Sequence, residues 1–139
     1  MNIHIRPATE QDLAQCEKLA KHPYLEFPGG GFPDKEYMKA FISEYYFLVA
    51  DREGKIVGWI LGESLKTSGV GLWFFVVDEH FRGKGIGKML FQEFEKRLRS
   101  AKRKWIFLTA HINNDIGINF YKEMGFVKGK PHFEMVKIL

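Results

Sequence analysis

The sequence predicts a mixed α/β fold, a sheet with helices packed on its faces. Three observations carry that prediction. In YFLVADREGKIVGWILGE, two β-branched and aromatic runs flank a glycine turn at Arg52 to Gly54, the pattern of a hairpin. GLWFFVV is a continuous apolar run bounded by Gly71 and Asp78, which fits a buried central strand. Beyond it Ile86, Leu90, Phe94 and Leu98 recur every four residues, which predicts a helix from about Gly85 to Ser100.

The remaining elements follow in order. IHIRPAT alternates like a half-buried strand, and Thr9 followed by Asp12 resembles a capping box, so a helix is expected from there to about Lys21. HPYLEFPGGGFPD holds three prolines and the Gly29 to Gly31 run and reads as a long loop, with a second helix from about Asp34 to Tyr45. KWIFLTAHI is the next buried strand. NNDIGINFYKEMGF offers Asn113 or Asn114 as an N-cap and Gly125 as a stop, and FVKGKPH and FEMVKIL close the chain as strands. The predicted order is strand, two helices, three strands, helix, strand, helix, two strands. That makes about seven strands and about four helices, with residues 1–139 read as one domain.

Composition narrows the function. Apolar residues at 45% and charged residues at 27% describe an ordinary globular protein. The net charge of +4 favours anions, but 17 acidic residues are interspersed with 21 basic ones. The basic run KRLRSAKRK from Lys96 to Lys104 falls at a helix end, where cations suit the dipole, so no nucleic-acid partner is expected. MNIHIRPATEQD carries no signal-peptide apolar stretch and no long uncharged run occurs, so no membrane partner is expected and the cytoplasm is the default location. Cys16, the single cysteine, reads as a small buried residue. The five histidines are scattered without ligand spacing, so no metal is expected.

FRGKGIGKML then stands out. A buried strand that passes through glycines into a helix brings unpaired N–H groups and the positive end of the helix dipole to one point, which suits a phosphate. Glycine lets a ligand approach the backbone, and Arg82, Lys84 and Lys88 add positive charge. Two nucleotide motifs fail on spacing. A P-loop would need glycine where Arg82 stands and Ser or Thr where Met89 follows Lys88, and the glycines at 83, 85 and 87 do not make G-x-G-x-x-G.

VVDEHFRGKGIGKML resembles motif A of the GNAT superfamily of N-acetyltransferases: Arg or Gln, two residues, Gly, one residue, then Gly or Ala, matched by Arg82, Gly85 and Gly87. NNDIGINFYKEMGF is similar to the family's second signature, and IRPATEQDL to its first strand and helix. The resemblance spans almost the whole chain and implies the GNAT fold, whose central twisted sheet is mostly antiparallel. It also implies acetyl-CoA as co-substrate and no metal. On this resemblance the amides of Gly83, Lys84, Gly85, Ile86, Gly87 and Lys88 would hold a pyrophosphate beside Arg82. Phe75, Val76 and Val77 would pair with the pantetheine arm like an extra strand. Asn114 would contact the cofactor, and Tyr121 would serve as general acid to the departing thiolate.

The family's fourth-strand glutamate has no counterpart, since Leu72, Trp73, Phe74 and Phe75 stand there. Glu63, Glu79, His111 or a water chain each remain open as the route for the amine's proton. The resemblance places the acceptor against the loop between the first two helices, which here offers Tyr24, Glu26 and Phe27 to an amine on a small molecule or a peptide. Transfer of an acetyl group to a primary amine by direct attack in a ternary complex is the leading reading. Two alternatives stay open: a non-catalytic acetyl-CoA-binding module, and an enzyme acting on protein N-termini or lysines. Dimers are common among such relatives, and the terminal strands are natural contacts for a homodimer.

Overall fold

The computed structural model describes residues 2–43 and 46–139. Among them, five strands form one sheet in the order β1 (His4–Pro7), β2 (Phe47–Arg52), β3 (Lys55–Ser64), β4 (Gly69–Val77) and β5 (Trp105–Phe107). Neighbours run antiparallel except β4 and β5, which are parallel. The helices are α1 (Leu13–Leu19), α2 (Lys35–Lys39), α3 (Ile86–Ser100) and α4 (Asp115–Glu123). The mixed α/β class and the element order hold through α4.

Three expectations change. KWIFLTAHI, expected as a buried strand, contributes only the three residues of β5, and Trp105 and Phe107 are 46% and 51% exposed, because nothing covers that edge strand among the described residues. FVKGKPH and FEMVKIL carry no strand, so the sheet has five strands and not about seven. A strand needs a neighbouring edge to accept its backbone bonds, and β5 offers only three residues. Phe133, Met135 and Ile138 lie at the surface accordingly. The predicted second helix shortens to Lys35–Lys39, capped by Asp34, whose Oδ1 accepts from the Tyr37 N–H at 2.8 Å. Its predicted end at Tyr45 lies outside the described residues.

The sheet separates two cores. Leu13, Cys16, Ala20 and Met38 pack with Phe47, Trp59 and Phe74 on one face. On the other, the apolar stripe of α3, Ile86, Leu90, Phe91, Phe94 and Leu98, meets Leu48, Val57 and Ile60. Each of those five α3 side chains is at most 3% exposed, and each burial contributes about 1.5–3 kcal/mol. The start of α3, where the glycines sit, is thereby anchored to the sheet. Cys16 is fully enclosed and its thiol is pushed up to about 12 by burial, as suits a packing residue.

The first helix begins on an ion-pair knot. The Thr9 N–H donates to Asp12 Oδ2 at 2.8 Å, and the Arg6 guanidinium grips the same carboxylate at 2.7 and 2.8 Å while reaching Asp51 at 3.2 Å. Burial alone would raise the Asp12 carboxyl, but the bonds from Arg6 and Thr9 hold it below its ordinary value. A depressed carboxyl stabilises the fold above its unfolded pKa of about 3.9 and loses that contribution as pH falls through the lower folded value. Asp12→Asn is expected to cost about 2 kcal/mol at neutral pH and to flatten the acid limb of the stability curve, read by urea melts at several pH values.

Candidate active site

The site begins with an irregularity in β4. Leu61 pairs with Phe74 and Gly62 with Leu72, so Trp73 is an extra residue that forms a β-bulge. Beyond it the side chains exchange faces: Val70 and Leu72 belong to the α3 core, whereas Phe74 and Val76 join the α1–α2 core. Phe75 and Val77 turn towards α3, only partly buried. Because β5 pairs only with Gly69 to Gly71, the rest of β4 is paired with β3 on one edge and has no strand on the other among the described residues. The Asp78 N–H donates to Val57 O at 2.8 Å, so by strand alternation the backbone groups of Phe75 and Val77 point to that open edge. Arg82 Nε takes up one of them, donating to Val77 O at 3.2 Å.

The glycine stretch follows directly. After a 3-10 turn over Glu79–Phe81, Gly83 has φ +74° and Gly85 φ +81°, left-handed values that disfavour any residue with a Cβ. Gly85 is the N-cap of α3, and the helix's first backbone bond, Met89 N–H to Gly85 O, is 3.0 Å long. The N–H groups of Ile86, Gly87 and Lys88 therefore have no acceptor within the helix. Nothing lies within 4 Å of where a Cβ on Gly83 or Gly85 would stand, so the loop borders open space.

The opposite wall is α4. Asn114 caps it, with Oδ1 accepting from the Gly117 N–H at 3.0 Å, which leaves its Nδ2 for other partners. The Asn114 amide lies over Gly117 where a Cβ would stand, so a side chain there would push the capping amide aside. Further along, Tyr121 sits among Phe75, Phe120 and Phe126 with ring separations of 6.4, 5.8 and 5.5 Å. Desolvation by these rings pushes its phenol up to about 12, so it holds its proton at neutral pH. Among the described residues its hydroxyl has no protein hydrogen-bond partner.

These walls enclose a cleft of about 580 Å³. It brings together Tyr24, Phe75, Val76, Val77, Arg82, Gly83, Gly85, Ile86, Gly87, Lys88, Asn114 and Tyr121 of the sequence-predicted residues; Lys84, on the same loop, is not in the lining. Tyr24 spans the opening: its hydroxyl donates to Asn113 O at 3.2 Å and its ring stacks on His111 at 4.7 Å. That bridge joins the loop after α1 to the loop before α4. His22 completes the wall, a residue that sequence reasoning missed because only the folded chain brings it there.

The remaining candidates lie off the cleft. His111 Nδ1 accepts from the Asn113 N–H at 3.1 Å, which engages that ring nitrogen locally. Glu79 sits 3.8 Å from His80 Nε2 on a neighbouring cavity. Glu63 accepts from Trp73 Nε1 at 2.8 Å, which places it at the bulge where the open edge begins. Phe27 packs edge-on against Tyr37 at 5.3 Å and Phe74 at 5.6 Å, and Glu26 is exposed beside it. Burial first, and Glu63 second, raise the Tyr37 phenol, so Glu63, Trp73, Tyr37 and Phe27 form one neighbourhood.

A strand interrupted by a bulge, an open edge, a glycine-capped helix and a second helix carrying asparagine and tyrosine agree with the family match. The chain belongs to the Acetyltransferase (GNAT) family, whose pattern matches residues 13–126. It is 31% identical over 96 residues to a probable spermine N(1)-acetyltransferase of Bacillus subtilis subsp. natto, covering 63% of each chain. The fold superposes on Ard1 of Thermoplasma volcanium with a TM-score of 0.81 at 25% identity, covering 94% of this chain and 86% of that one. It superposes on the PaiA N-acetyltransferase of Thermoplasma acidophilum, solved in complex with coenzyme A, with a TM-score of 0.75 at 23% identity, covering 95% and 94%. The chain spans about half the length of the curated relatives it matches, from 43% to 63%. No helix among the described residues is long and apolar enough to cross a membrane.

Proposed function

We propose that the chain transfers an acetyl group from acetyl-CoA to a primary amine, both bound together, by direct attack of the amine. The observation that carries this reading is the meeting, in one cleft, of an unpaired β4 edge with the left-handed glycines that open α3. The free N–H groups of Ile86, Gly87 and Lys88 and the dipole of a 15-residue helix suit a pyrophosphate, with Arg82 and Lys84 beside them. The open-edge groups of Phe75 and Val77 suit the amides of a pantetheine arm. Nδ2 of Asn114 is aligned by its own capping bond to donate to the same arm.

Acetyl-CoA, when bound, supplies an acyl thioester activated for attack. Tyr121 holds a proton on its hydroxyl in an apolar wall and gives it up to a negative charge that develops beside it. Tyr24 closes the opening over the cleft and limits water.

The acceptor lies on the Glu63 side. There a carboxylate fixed by Trp73 stands among Phe27, Tyr37 and Phe74, a setting that attracts an ammonium group and takes its proton directly or through water. The likeness to a probable spermine acetyltransferase supports an amine of this kind. The reading is tested by thiol release from acetyl-CoA over a panel of polyamines, aminoglycosides and lysine or N-terminal peptides. Turnover with at least one amine is expected, whereas binding of acetyl-CoA without turnover on any would favour a sensor module. Glu63→Gln is expected to lower kcat/KM for the preferred amine about tenfold or more while acetyl-CoA affinity stays within twofold.

A further inference from the structure

The face of the sheet that α1 and α2 cover continues beyond those helices. Along β3, Trp59 and Leu61 are buried beneath them, and Glu63 is the next side chain on the same side. Val70 and Leu72 pack towards α3, so Gly69 and Gly71 face the opposite way, with Glu63. Register carries that face across the sheet: Glu63 pairs with Gly71, Gly71 with Phe107, and Gly69 with Trp105.

The two glycines make this region an aromatic shelf. The Trp73 indole fills the place of a Cβ on Gly71, and the Trp105 indole that of a Cβ on Gly69, so both rings lie against bare strand. Trp73, Trp105 and Phe107 are all exposed. The bulge brings Trp73 to this side, where its Nε1 donates to Glu63 Oε1 at 2.8 Å. Glu63 is the one charged residue at these register positions, and among the described residues it is in no ion pair. The cations nearby belong to the hairpin turn. Arg103 Nη2 donates to the carbonyls of Leu65, Thr67 and Gly69 at 2.9, 2.7 and 2.6 Å, and Lys66 is exposed on the same turn.

We infer that this shelf selects the acceptor: it holds the distal ammonium groups of a linear polyamine whose reacting amine stands at Glu63. The inference rests on the reading of Glu63 as the acceptor side. Exposed indole and phenyl faces attract ammonium groups through the ring quadrupole, and their apolar surface suits the methylene segments between them. The Glu63 carboxylate draws in a cation and turns away an acidic tail. Glu63 and Phe107 stand two strand spacings apart, about 10 Å. The diamine putrescine falls short of that span, whereas spermidine and spermine cross it.

Steady-state acetylation of putrescine, spermine and octylamine, a monoamine of comparable reach, tests this. In the wild type, kcat/KM for spermine is expected to exceed that for putrescine and for octylamine about tenfold. A Trp105→Leu, Phe107→Leu double variant keeps apolar bulk and removes both ring faces. There the ratio of spermine to putrescine is expected to fall close to one, through a rise in KM for spermine and not a fall in kcat. Trp105→Tyr, Phe107→Tyr keeps two aromatic faces and is expected to keep the ratio. A wild type that treats spermine like putrescine or octylamine overturns the shelf, as does a ratio preserved in the leucine variant or lost equally in the tyrosine variant. Turnover confined to aminoglycosides or peptides also overturns it and leaves acetyl transfer standing. Turnover with no amine overturns the transferase reading and the shelf with it.

Discussion

Gly85→Asp is expected to reduce affinity for acetyl-CoA by about 100-fold or more while the chain stays folded. Two costs add. At φ +81° a side chain strains the backbone by about 1–2 kcal/mol, which lowers the melting temperature by several degrees. The new carboxylate would stand at the open start of α3, where the proposed pyrophosphate docks. Two like charges about 4 Å apart cost about 4 kcal/mol at the effective dielectric of a protein surface. The stripe from Leu90 to Leu98 that holds α3 to the sheet is untouched. Gly87→Ala is the control: Gly87 has no left-handed φ, and a Cβ there would sit 3.6 Å from Phe120, ordinary contact. Its affinity should stay within a few-fold, and a loss equal to that of Gly85→Asp would mean the cleft is generally intolerant and the loop has no special role.

Tyr121→Phe is expected to lower kcat about tenfold to 100-fold, the range a general acid contributes, with acetyl-CoA affinity within twofold. The phenylalanine keeps the ring contacts with Phe75, Phe120 and Phe126 and removes only the hydroxyl. With its phenol near 12, Tyr121 stays protonated through the usual assay range, so its ionisation produces no alkaline fall in kcat below about pH 11. A thiolate ordinarily has a pKa of about 8.5, but the apolar walls that raise the phenol also raise a thiolate beside it, which brings the two closer. Unchanged kcat in the variant would remove Tyr121 from the mechanism and leave it a wall of the cleft.

Both of these positions were legible in the sequence. The glycine stretch announces itself because left-handed turns at a helix start tolerate few other residues, and Asn114 and Tyr121 share a helix whose cap and stop are local signals. The hairpin at Arg52 to Gly54 and the apolar stripe of α3 were legible for the same reason: turn chemistry and helical period are short-range.

What escaped depends on contacts between distant segments. The apolar run GLWFFVV reads as one uniformly buried strand, yet the bulge at Trp73 leaves that indole 37% exposed and swings Phe75 and Val77 to the cleft. No local pattern announces a bulge that is fixed by the register of β3. The bridge from Tyr24 to Asn113 and His111 joins residues 89 and 87 positions apart, and His22 arrives with it. The closing strands failed for a related reason: alternation in FEMVKIL describes a side-chain pattern, whereas a strand also requires an edge to pair with, and β5 is too short to supply one.

The central claim is that the β4 edge and the glycine loop form an acyl-CoA site, and calorimetric titration of the purified protein with acetyl-CoA tests it most directly. Saturable one-to-one binding of acetyl-CoA and coenzyme A, with ATP and NAD giving no comparable heat, is the predicted result. Absence of acetyl-CoA binding, or equal binding of ATP and NAD, would contradict the account, because the glycine loop would then be a general phosphate site or no site at all.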